Sequence, residues 1–99
     1  MKAEELLKHA RKFTFTPNLP HWHHSDEVHV EWRSEDRWVV VFGGDVLNTE
    51  GLLEYEPSPS HRDEAFLART RFPLAQAIEL AQQLVKKVEN GRSSVRYAL

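Results

Sequence analysis

Glu27-Val28-His29-Val30-Glu31-Trp32-Arg33 runs into Ser34-Glu35-Asp36 and then into Arg37-Trp38-Val39-Val40-Val41-Phe42. In the first run Val28, Val30 and Trp32 alternate with His29, Glu31 and Arg33, the two-residue period of a half-buried strand. The second run is dense in β-branched and aromatic residues, and the polar triplet between them is short enough to reverse the chain. Together they predict an antiparallel hairpin, around which the remaining elements can be placed.

Downstream, Gly43-Gly44-Asp45 ends the second strand in a turn or bulge, and Asn48-Thr49-Glu50-Gly51 is a further turn signal. Leu52 to Glu56 predicts a third strand. Pro57-Ser58-Pro59-Ser60-His61-Arg62-Asp63 reads as loop, because its prolines lack donors and fix the backbone away from ladder geometry. From Ala65 to Arg71, Phe66, Ala68 and Thr70 alternate with Leu67, Arg69 and Arg71, which predicts a fourth strand. Pro73 suits a first helical turn, and Leu74, Ala77, Ile78, Ala81, Leu84, Val85 and Val88 trace the apolar stripe of a long helix closed by Asn90-Gly91. Beyond it, Val95 and Tyr97 suggest a short edge strand.

Upstream, Ala3, Leu6, Leu7 and Ala10 follow helical spacing, with Glu4 and Glu5 early and Lys8, Arg11 and Lys12 late. Phe13-Thr14-Phe15-Thr16 alternates as a strand before Pro17-Asn18-Leu19-Pro20 breaks regular structure. The order predicts a single α+β domain over residues 1–99: a two-layer sandwich with an antiparallel sheet of three to four strands. The N-terminal and C-terminal helices are expected on one face of it. The other face would then present His29, Glu31, Arg33, Arg37, Val39, Val41, Leu67, Arg69 and Arg71 to solvent.

A chain of 99 residues with 40% apolar and 28% charged side chains has enough material for one core. The absence of cysteine excludes disulfides, thiol catalysis and thiolate metal sites. With 13 basic against 15 acidic residues, no overall field draws the protein to nucleic acid. The charged residues among Met1–Leu7 leave no apolar run for a leader, and no stretch reaches the roughly 18 apolar residues of a membrane span. These features set the expectation of a cytoplasmic protein with no membrane partner.

Four of the six histidines fall between His21 and His29, the one segment richer than folding requires. Imidazole ligates transition metals and titrates near neutrality, so His21, His23, His24 and His29 are candidate zinc ligands, for a structural site or a metal-dependent hydrolase. A connecting loop with wet histidines is the simpler account of them. His61-Arg62-Asp63 matches three letters of a kinase catalytic loop without the nucleotide loop that motif requires, and His24-Ser25-Asp26 lists triad letters that seldom act as sequence neighbours. Arginine, tryptophan and aliphatic residues are what protein interfaces favour. The expected function is therefore that of a small non-enzymatic interaction or regulatory module without a cofactor. It would bind a protein partner, or a second copy as a homodimer, through Trp22, His23, Arg33, Arg37, Val39, Val41, Arg69 and Arg71. Zinc at the histidine cluster and nucleic acid on the arginine face are the alternatives, and Glu31 and Glu35 dilute the charge that nucleic acid would need.

Overall fold

A computed structural model of the chain describes residues 2–91, so the expected edge strand around Val95 and Tyr97 lies outside the described residues. Five strands, β1 (Lys12–Phe15), β2 (Val28–Ser34), β3 (Arg37–Phe42), β4 (Asp45–Leu47) and β5 (Leu53–Tyr55), pair in sequence order as one antiparallel sheet. Among the described residues three α-helices accompany it: α1 (Ala3–His9), α2 (Glu64–Thr70) and α3 (Leu74–Gly91). The protein is thus α+β as expected, with five strands where three to four were anticipated. The extra strand is β4, whose three residues between Gly44 and Asn48 are too few to show a period.

The β2–β3 hairpin forms where the alternation places it. Trp32 pairs with Trp38 and Ser34 with Arg37, which leaves Arg33 as an unpaired bulge residue, and Asp36 takes the left-handed conformation in the turn (φ 53). At the other end Phe42 pairs with Asp45 across Gly43-Gly44, both at positive φ (59 and 83). A two-residue hairpin loop of this kind needs that backbone at both positions, and glycine adopts it without steric cost.

Register aligns Phe13 with Val30 and Phe15 with Val28, while Val30 opposes Val40 and Val28 opposes Phe42. Leu47 opposes Leu53 further along the sheet. On this face lies α3, whose stripe buries Ala77, Ala81, Leu84 and Val88 against Val28, Val30, Trp38, Val40 and Phe42. Trp32 shares the face but sits past the start of α3. It stays 39% exposed, covered by the Arg11 guanidinium 4.9 Å from its ring.

The second face departs from expectation. Ala65 to Arg71 is not a strand; it lies within α2, which begins where the Asp63 carboxylate accepts the Phe66 amide at 2.8 Å. Phe66 packs on Val39 and Val46, with Val41 and Leu67 beside them. One helix therefore lies on each face, rather than two on one face. The N-terminal α1 is only a seven-residue helix, of which Ala3, Glu4, Glu5, Lys8 and His9 are exposed.

Phe72 makes this division possible. Its amide and carbonyl exchange bonds with Trp38 (2.9 and 2.8 Å), so the short link between α2 and α3 is pinned to β3 at the end of the sheet. Arg71 then points to one side and Phe72 is buried on the other.

Val39 and Val40 are both 0% exposed although neighbours on a strand face opposite ways. Removing two methyls from either leaves a cavity, and Val39→Ala and Val40→Ala should each lower unfolding free energy in urea by about 2 kcal/mol. A change under about 0.5 kcal/mol for Val39→Ala would mean that α2 does not cover the second face.

Candidate docking surface at the β1 edge

On the second face three of the four arginines expected to form a binding platform, Arg33, Arg69 and Arg71, are spent on carboxylates. Glu56, just past β5, receives a two-pronged guanidinium from Arg33 (Nη2 to Oε1 2.7 Å, Nε to Oε2 3.1 Å). Arg71 donates to the same carboxylate at 2.9 Å, and Arg62 approaches it at 3.7 Å. Glu31 takes a further bond from Arg33 at 3.2 Å. Arg69 forks onto Glu54 with two 2.8 Å bonds, and Asn48 holds the same carboxylate at 2.8 Å. Arg69 and Arg71 also lie over the Phe66 ring, at 5.3 and 5.6 Å. These pairs fasten α2 and the 56–63 segment to the sheet.

Charge states follow from this geometry. Burial pushes the Glu56 carboxyl up, but the hydrogen bonds and charge of Arg33, with the charges of Arg62 and Arg71, outweigh it and hold the group below the usual carboxylate range. The Glu56 bond raises the Arg33 guanidinium, and the Arg69 bond lowers Glu54. Arg71, with a side chain only 6% exposed, is lowered by its burial against the opposing pull of Glu56.

Of the residues expected to bind, Val39 is core and Val41 packs beside Phe66, while Arg33, Arg69 and Arg71 hold the fold. Arg37 remains exposed beside a shallow depression of about 310 Å3 shared with Asp36, Glu64 and Leu67. The kinase-like letters have structural roles, since Arg62 also donates to the Pro57 carbonyl at 2.7 Å and Asp63 caps α2.

The histidine segment is a turn rather than an extended run. Asp26 closes it by accepting the His23 amide at 2.9 Å, its own amide returning to the His23 carbonyl at 2.9 Å. The residues at positions 21–24 are all exposed, with Trp22 edge-on to the His24 ring at 6.0 Å. His29, further along β2, has Thr14 Oγ1 3.0 Å from Nδ1 and the Glu27 carboxylate 3.7 Å from Nε2, and His24 Nδ1 stands 3.5 Å from the same carboxylate. Among the described residues no group of three or more His, Asp or Glu side chains is disposed to hold a metal ion. No such group brings His21 and His23 together with His24 and His29.

What α2 leaves uncovered is the β1 side. Lys12, Thr14, His29 and Glu31 form a polar strip on the second face, with Lys12 Nζ 3.9 Å from Glu31. At the outer edge of β1, a groove of about 600 Å3 runs between Thr14 and Phe15, with Thr16 just past the strand, and Gln82, Val85, Lys86 and Glu89 of α3. The 16–27 loop returns past the end of this groove, where the Asn18 amide donates to the Glu89 carboxylate and Leu19 packs on the core. Sequence reasoning missed the groove because its walls come from segments some 70 residues apart, and only the placement of β1 at the sheet end reveals it.

The chain matches no protein-family model, no curated protein and no solved structure. Among the described residues no helix is long and apolar enough to cross a membrane.

Glu56→Gln leaves three guanidiniums around a neutral amide and should cost about 3 kcal/mol at neutral pH, read by urea denaturation. A carboxyl lowered on folding stabilises at pH values above its unfolded pKa, near 4.5, and that contribution disappears as pH falls through the folded value. The wild-type chain should therefore lose stability below about pH 4.5 more steeply than the variant. Parallel acid limbs would show that Glu56 carries no such coupling.

Proposed function

We propose that the protein is a small non-enzymatic binding module that captures an extended segment of a protein partner on the outer edge of β1. One observation carries this reading: among the described residues β1 ends the strand order, and the groove against α3 runs beside it. A strand added at such an edge gains main-chain hydrogen bonds from the sheet and selectivity from pockets that take alternate side chains.

The phase of pairing supports the geometry. Trp32 donates to the Arg11 carbonyl, so the bonded positions of an antiparallel ladder fall on residues 11, 13 and 15. Lys12 and Thr14 consequently turn their N–H and C=O groups outward. An incoming strand would set one row of side chains against Phe15 and Val85 and the other against Lys12, Thr14 and Glu31. The partner this fits is a segment of alternating apolar and polar residues. Trp22 and His23 stand on the loop that leaves β1 at its Phe15 end, where they can extend the contact.

Peptides selected from a random displayed library on the immobilised chain supply the probe. Titrated into isotope-labelled protein, they should move the amide resonances of residues 11–16 and 82–89. Thr14→Pro removes an outward N–H while sparing the β1–β2 ladder, so it should weaken such peptides at least about tenfold and cost about 1 kcal/mol or less of stability. Affinity unchanged by Thr14→Pro, or resonance shifts confined to the Arg37 depression, would contradict the reading. Pairing of β1 with β1 of a second copy would instead show as a dimer that Thr14→Pro dissociates.

A further inference from the structure

We propose that the segment captured on the β1 edge is the C-terminus of the partner chain, running parallel to β1 and ending with its free carboxylate between Lys86 and the main chain of Thr16. The proposal rests on the reading of β1 as the docking edge and names the class of segment that fits it.

The first argument is the shape of the groove. α3 begins beside the Phe72–Trp38 bridge, and Trp38 pairs with Trp32, whose amide donates to the Arg11 carbonyl just before β1. Its last turns reach the opposite end, where the Glu89 carboxylate accepts the Asn18 amide. The helix therefore runs in the same direction as β1. Past Thr16 the chain crosses from the strand wall to the helix wall, with Pro17 buried, Asn18 held on Glu89 and Leu19 packed on the core. This makes the Phe15 end blind. An extended segment lying along β1 enters from the Lys12 end and stops at Thr16, whereas an internal stretch of a longer chain would have to pass through the 16–27 loop.

The second argument is charge. Lys86 and Glu89 are the charged residues among those lining the groove. Glu89 spends its charge on the Asn18 amide, while among the described residues the Lys86 ammonium has no ion-pair or hydrogen-bond partner. A carboxylate that reaches the blind end meets this uncommitted cation. An N-terminal ammonium arriving there would be repelled by it.

The third argument is the main chain. Bonded positions at residues 11, 13 and 15 leave Lys12 and Thr14 turned outward, and continuing that alternation turns the Thr16 N–H outward as well. Thr16 lines the groove, and among the described residues its amide has no acceptor. Main-chain N–H groups recur as receivers of a terminal carboxylate, and a bond to an ionised acceptor is stronger than a neutral one. That gain matters here, because β1 is only four residues long and parallel pairing is slightly less stable per residue than antiparallel. With the carboxylate at Lys86 and Thr16, the last groove-facing side chain of the segment falls against Phe15 and Val85 and is apolar.

The test uses the full chain and two random peptide libraries, one displayed with free C-termini and one fused to the display protein through its C-terminus. Peptides that move the amide resonances of residues 11–16 and 82–89 should come from the free library. Resynthesised with a C-terminal amide in place of the acid, they should bind at least about tenfold more weakly, because the charged acceptor is gone. Lys86→Gln, at an exposed side chain, should weaken the acid forms about fivefold and leave the amide forms unchanged. N-terminal acetylation should leave affinity as it was. Acid and amide forms of equal affinity, a Lys86→Gln effect equal in both, or fused peptides that bind β1 as tightly as free ones would overturn the proposal while the docking edge itself stands. So would binding lost on acetylation, which places the opposite terminus at the blind end. If no peptide from either library moves these resonances, the docking edge falls and the terminus with it.

Discussion

Burial of β3 on both faces is the constraint on which the rest of the structure depends. Trp38-Val39-Val40-Val41-Phe42 offers apolar side chains to both sides of the sheet, and a strand of that kind is stable only when something covers each side. Among the described residues two α-helices follow the sheet, and the Phe72 link at the end of β3 sends one to each face. The longer α3 covers the larger core, and α2 needs only Phe66 and Leu67 to close the smaller one.

The charged network follows from that arrangement. A seven-residue helix contributes little stability alone, and α2 buries few apolar groups. Arg33, Arg62 and Arg71 meeting on Glu56, and Arg69 on Glu54, tie it and its flanking segment to β2 and β5 with charge-assisted bonds. The same bonds neutralise the face that would otherwise be strongly basic. Among the described residues coverage is lopsided, because α2 lies over β3 and β4 while β1 keeps its polar strip, its outward main chain and its groove.

Much of this was legible in the residues. Alternation fixed the β2–β3 hairpin, and the spacing of Leu74, Ala77, Ala81, Leu84 and Val88 fixed α3, because each pattern is long enough to have a period. Residues 65–71 satisfy a two-residue period as well as a helical one, and the tie is broken by features outside the period. Asp63 is a capping residue, Glu64 favours the first turn, and Glu64-Ala65-Phe66-Leu67-Ala68-Arg69 contains no β-branched side chain. The uninterrupted apolar run in β3 was likewise a signal of two-sided burial, which contradicts a reading of Val39 and Val41 as surface. The candidate site was less accessible than the fold. Composition drew attention to the histidines and arginines, whereas the groove depends on strand order and on the distant C-terminal half of α3, which no local pattern encodes.

The placement of α2 decides which surface is open, and the nuclear Overhauser contacts of the Phe66 ring report it most directly. The account predicts strong contacts from that ring to the methyl groups of Val39 and Val46, with helical amide–amide contacts through residues 64–70. Cross-strand contacts from Ala65–Arg71 to a neighbouring strand, with Val39 and Val46 methyls lacking any aromatic neighbour, would contradict it.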